Sequence, residues 1–114
     1  MYKVEIDRFN KKIDEQRIYP SSKRALHHIV EMFFYTDYTN ISKERKSKVE
    51  KDFKLECIMI KTKYYKSDVN KVEEIISQIE NSLFTILDKS VEETMLEKIA
   101  GKLGPLNLNF KKIS

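Results

Sequence analysis

The chain has 114 residues, of which 40% are hydrophobic and 35% charged, with a formal net charge of +4. This is enough for one core and one domain, residues 1–114, and too periodic in its apolar residues for a disordered chain. A lone cysteine, Cys57, excludes an internal disulfide and a thiolate-rich zinc site; no apolar run reaches membrane-spanning length, and MYKVEIDRF is too charged for a signal peptide, so a cytoplasmic address is expected.

In chain order, Tyr2, Val4 and Ile6 alternate with Lys3, Glu5 and Asp7. With IDEQRIY following the turn-like Asn10-Lys11-Lys12, this predicts a hairpin over residues 2–19, although Ile6, Phe9 and Ile13 also keep helical spacing. Pro20 interrupts, and Ser21 or Ser22 is a suitable N-cap for a helix starting near Lys23. That helix should turn Ala25, Leu26, Ile29, Met32 and Phe33 inward, which leaves His27, Glu31, Phe34 and Tyr38 opposite, with His28 and Tyr35 at the edge.

Residues 39–53 are polar and predict a loop followed by a short solvated helix. In LECIMIK the apolar residues form an unbroken run, as in a central strand covered on both sides, so residues 55–65 are expected to be strand. Val69, Val72, Ile76, Ile79, Leu83 and Ile86 then step by three and four, widened by Ile75 and Leu87, and predict a long helix. Ser90-Val91-Glu92-Glu93 reads as a capping box that opens another helix, with Val91, Met95, Leu96, Ile99 and Leu103 inward. Gly101 or Gly104 and then Pro105 should stop it, and the alternation of Leu106, Leu108 and Phe110 predicts a last strand. The expected fold is therefore α+β: a small mixed or antiparallel sheet from the N-terminal hairpin, the central strand and the C-terminal strand, with helices mainly on one face, in the order ββα(α)βααβ.

Charge is uneven along this order. Residues 39–66 carry nine Lys/Arg against four Asp/Glu, whereas residues 67–100 carry three against eight. Complementary faces, or two patches of opposite sign, follow from that distribution.

Catalytic and ligand motifs are scarce. His27 and Glu31 stand one turn apart, but a metal needs further ligands and the sequence supplies only two histidines and one cysteine. The two histidines also point about 100° apart on a straight helix. Both glycines fall where a helix should end, so they make no phosphate-cradling loop. No cofactor, no metal and no enzymatic activity are expected. Phe34, Tyr35, Tyr38 and Phe84 are large aromatics on sides of their helices that should face water, and they point to a non-enzymatic module, an inhibitor or regulator, that binds another protein through them. His27 and Glu31 would form the polar rim, and the 69–86 seam offers a homodimer contact.

A second class is a nucleic-acid binder that uses Lys46, Lys48, Lys61, Lys63, Tyr64 and Tyr65, where cations interleave with aromatics. A third is a metal-dependent nuclease assembled from Glu31, Asp52, Glu56 and Lys61, a set that no particular spacing demands.

Overall fold

The N-terminal segment is a helix and not a hairpin, because Ile6, Phe9 and Ile13 make one apolar stripe over its whole length whereas the alternating pattern lasts only three apolar residues. Val4, which the alternation would place beside Ile6, is 76% exposed, while the three stripe residues are buried. The intervening Lys, Glu and Arg are good helix formers, and no Gly or Pro interrupts them.

A computed structural model describes the backbone of residues 2–113 and the side chains of residues 2–96 and Ile99. Among the described residues there is no strand. Four helices follow one another: α1 (Lys3–Glu15), α2 (Pro20–Phe34), α3 (Lys43–Met59) and α4 (Val69–Ile113), with short 3₁₀ turns at Ile60–Thr62 and Lys66–Asp68. The α+β expectation is thereby corrected to an all-α fold. Residues 55–65, expected as a central strand, form the last turn of α3 and the connector after it, since a short apolar run fits a helix as well as a strand. The expected strand at 106–110 and the stop at Gly101, Gly104 and Pro105 both fall inside α4. With no second strand to pair, five alternating residues have no ladder in which to place their backbone hydrogen bonds. The inward direction expected for Leu103 lies outside the described side chains.

The helices run up and down. Tyr38 N–H, just past α2, donates to Tyr2 Oη at 3.1 Å, which places the start of α1 beside the end of α2. Tyr19 N–H at the head of α2 donates to Asp68 Oδ2 at 3.0 Å, just before α4 begins. Lys46 Nζ, in the first turn of α3, is 3.0 Å from Asp88 Oδ1, well along α4. Helices consecutive in the chain are therefore antiparallel, as short connections require, and α2 runs parallel to α4.

Capping residues set where α2 and α3 begin. α2 starts at Pro20, whose fixed φ suits the first helical position, with Tyr19 and not a serine as its N-cap. Ser42 caps α3, its Oγ accepting from Arg45 N–H at 3.1 Å. Ser90, expected to open a new helix, instead donates its hydroxyl to the Ile86 carbonyl at 2.9 Å inside an unbroken α4. Leu83, Leu87 and Val91 continue a buried stripe four residues apart through that point, so packing holds the helix straight through the capping motif.

α2 is the most enclosed helix. It buries Ala25, Leu26, Ile29, Val30, Phe33 and Phe34 together, with α1, α3 and α4 each packed on part of it. Its apolar face is wide enough for three neighbours, while Arg24, His28, Glu31, Met32 and Tyr35 keep one side in solvent. The α4 stripe of Val72, Ile75, Ile79, Leu83 and Leu87 closes the core, each such side chain contributing about 1.5–3 kcal/mol by its burial. No described helix is long and apolar enough to cross a membrane.

Candidate functional site

Because α2 is central, most of the aromatics expected to dock a partner are covered by the chain itself. Phe34 is fully buried, its ring 5.6 Å from Phe9 of α1. Tyr38 is buried too; its hydroxyl donates to the Phe33 carbonyl at 2.6 Å and its ring stacks on Tyr2 at 5.9 Å. That burial raises the phenol's pKa above its ordinary value, opposed by a hydrogen bond with Thr36. Phe84 is half-buried against α3, edge-on to Phe53 at 6.0 Å with Lys54 Nζ 5.9 Å from its ring centre. These three positions are corrected from surface anchors to core or core margin. Only Tyr35, at the C-terminal cap of α2, presents half of its surface to solvent.

The polar rim is divided in the same way. His27 Nδ1 lies 2.7 Å from Asn10 Oδ1 and its Nε2 2.8 Å from Asp14 Oδ1, a clamp between α2 and α1. His28 turns the other way, its Nε2 3.1 Å from Glu56 Oε1 on α3. Glu31 is exposed and shares no partner with His27. Among the described residues no three His, Cys, Asp or Glu side chains converge as a metal site would need. Of the nuclease set, Asp52 pairs with Lys48 at 3.2 Å and Glu56 with His28, while Glu31 and Lys61 do not join them.

The basic set separates as well. Lys46 is held between Glu50 at 3.2 Å and Asp88 at 3.0 Å, and the hydrogen bond to Asp88 is the largest reason its pKa is raised. Lys61 and Lys63 lie beyond the other end of α3, roughly 20 Å along the helix axis from Lys46 and Lys48 at 1.5 Å per residue. Tyr64 packs partly on the core, which raises its phenol pKa, and Tyr65 stacks on Tyr19 with ring centres 4.0 Å apart. The positive charge of residues 39–66 is thus spread over both ends of α3, with its upstream part neutralised by acids of α3 and α4.

What remains exposed and apolar is a different surface. On α3 only Phe53 is buried, and Leu55, Ile58 and Met59, spaced by three and four, are 56%, 60% and 56% exposed on one side of the helix. Across an open groove, Met32 of α2 faces Leu55; Phe33, Thr36, Tyr38, Arg45, Val49, Asp52 and Glu56 complete the lining. Met32, expected inward, is 43% exposed. One turn separates it from Tyr35, so a stripe of apolar surface continues from α3 onto the end of α2. The signal for this surface lay in LECIMI: wound as a helix, it places apolar residues around the whole circumference, and α3 has neighbours on one side only.

No family model matches the chain, and neither a curated protein nor a solved structure gives a significant match.

Proposed function

We propose that the protein acts by docking on another protein, and that its docking face is the exposed apolar surface of Leu55, Ile58 and Met59 on α3, with Met32 across the groove between α2 and α3 from Leu55 and Tyr35 one turn further on. The observation that carries this reading is the trio on α3, three large apolar side chains at helical spacing, each more than half exposed beside a fourth from α2. Contiguous apolar surface on a small folded chain favours a partner that removes it from water. Methionines suit an adaptable contact, and a groove flanked by two helices accepts the apolar face of a third, with anchors spaced by three and four. Arg45, Asp52 and Glu56 supply a polar border of both signs, which sets the register of such a helix. The biological use we infer is that of a non-enzymatic regulator or inhibitor that occupies a partner's surface.

The nucleic-acid reading has less support, since its six residues divide between two ends of α3 and Lys46 is already ion-paired.

The test is affinity capture from the native host with the wild type, with Leu55→Ser/Met59→Ser, and with Tyr19→Ser as an exposed control on another face. The proteins held by the wild type and by the control should be lost from the double variant. If all three versions hold the same proteins, the groove is not the docking face.

A further inference from the structure

At the opposite end of α2 from Tyr35, the helix carries Ser21, Arg24, Ala25 and His28 along one stripe, and Lys63 from the connector after α3 stands across from them; together they line an open cleft of about 410 Å³. That size is within the range of small-molecule sites, roughly 300–1,000 Å³. Arg24 and Lys63 are exposed, and among the described residues neither takes part in an ion pair. No carboxylate lines the cleft; Glu56 is bonded to His28 of its wall, and Asp68 to Ser22, the neighbour of Ser21. Ser21 Oγ is enclosed and has no hydrogen-bond partner among the described residues. α2 begins here without a side-chain cap of its own, and the Asp68 carboxylate, accepting from Tyr19 N–H at 3.0 Å, serves that end instead.

We propose that this cleft binds a phosphate monoester. The Arg24 guanidinium matches two phosphoryl oxygens with its planar fork, and the Lys63 ammonium closes on the group from the opposite wall. Ser21 Oγ, by a rotation about its χ1, donates to a phosphoryl oxygen and so gains the partner it lacks. His28 adds a third positive charge when protonated. A dianion fits this set better than a carboxylate, because two permanent cations line one cleft, while the nearby carboxylates of Glu56 and Asp68 are each already held by hydrogen bonds. A polynucleotide backbone, whose diesters each carry one charge along a track, would call for cations in a row. Lys46 and Lys48, the upstream lysines of the candidate nucleic-acid set, are engaged in ion pairs at the far end of α3. Ala25 forms the floor, and its small side chain leaves room for the ester oxygen's substituent.

The experiment is an amide chemical-shift titration of the full chain with inorganic phosphate, with phenyl phosphate, and with a single-stranded oligonucleotide lacking terminal phosphates, all at constant ionic strength. Saturable shifts at Ser21, Arg24 and Lys63 are expected from both phosphates. Affinity should fall about tenfold or more in Arg24→Gln/Lys63→Gln, as loss of charge-assisted hydrogen bonds implies. It should fall less in Ser21→Ala and stay unchanged in Lys48→Gln. Arg24 and Lys63 are exposed, so the double variant retains the fold, and an unchanged melting curve checks this. Shifts that grow without saturating, or affinity that survives the double variant, would overturn the proposal. So would an oligonucleotide that perturbs the same amides at lower concentration than the phosphates do. None of these variants alters the α2–α3 groove residues, so failure here leaves the docking test to stand or fall alone.

Discussion

Asp68 Oδ2 accepts a 2.6 Å hydrogen bond from Ser22 Oγ, and this pair, 46 residues apart in the sequence, ties the head of α2 to the head of α4. The same oxygen takes the Tyr19 N–H at 3.0 Å, and Ser22 Oγ in turn accepts the Tyr65 N–H at 3.3 Å. A carboxylate from a distant turn thus serves the start of α2 where no neighbouring side chain caps it. Asp68 and Ser22 are both buried, so water cannot replace what is removed. Asp68→Ala should cost about 2–4 kcal/mol, and Ser22→Ala about 1–2 kcal/mol. The two losses should be less than additive in a double-mutant cycle followed by urea unfolding. Full additivity would mean that the bond contributes nothing to stability.

The facing of α3 makes a sharper prediction, since Phe53 and Leu55 are two positions apart and have opposite surroundings. Phe53→Ala should destabilise by about 3–5 kcal/mol, because its ring packs edge-on to Phe33 at 5.1 Å and no solvent fills the space. Leu55→Ser and Met59→Ser should each stay within about 0.5 kcal/mol of the wild type. Equal losses at Phe53 and Leu55, read from thermal melts, would mean that α3 is rotated from the position described.

Cys57 is half-buried between α3 and the core, and burial, reinforced by the carboxylates of Glu80 and Glu56 against the opposing charge of Lys61, pushes its thiol from an ordinary 9.0 up to about 11. A thiol raised that far holds a thiolate fraction about a hundredfold lower at about pH 8, so alkylation by iodoacetamide should be slower than for an unfolded control by a factor of that order. The same rise has a sign in stability. The unfolded chain releases this proton as pH passes 9.0 while the native chain keeps it to about 11, so the contribution of Cys57 is fully present below pH 9 and lost as pH rises through 11. Cys57→Ser should flatten that alkaline fall in unfolding free energy.

The turn between α2 and α3 depends on Asp37 and Asn40. Thr39 Oγ1 at 2.6 Å and Thr39 N at 3.0 Å both donate to Asp37 Oδ1, and these bonds hold the carboxyl below its ordinary value, the hydroxyl contributing most. A lowered carboxyl contributes stability above its ordinary titration range and loses it as pH falls through the depressed value. Thr39→Ala should therefore raise the Asp37 titration midpoint measured by NMR. Asn40 follows with φ of 60°, the left-handed region that Asn and Gly tolerate. Asn40→Ala should cost about 1 kcal/mol and Asn40→Gly close to nothing, a contrast that side-chain loss alone would not produce.

A good part of the helical architecture was legible before folding. The 69–88 stripe and the helix after Pro20 both rest on periodicities several turns long, which only one secondary structure satisfies. Tyr2-Val4-Ile6, Leu106-Leu108-Phe110 and LECIMI were too short for that, since three alternating residues, or one dense apolar run, fit a strand and a helix equally.

Sides were another matter. A sequence shows which residues are apolar, and in α1, with one packed face, that is enough to say which way they point; on α4 it holds for Val72, Ile79 and Leu83 but not for Met95, Leu96 and Ile99, expected inward and 43%, 66% and 50% exposed. α2 packs against three helices and α3 has neighbours on one side only, so the same kind of apolar excess puts Phe34 and Tyr38 in the core and leaves Leu55, Ile58 and Met59 in water. Periodicity records a helix's own rotation and nothing about what lies against it. The covering of the aromatics, the gathering of Ser21, Arg24, His28 and Lys63 around one cleft and the reach of Asp68 to Ser22 were decided only when distant segments packed together.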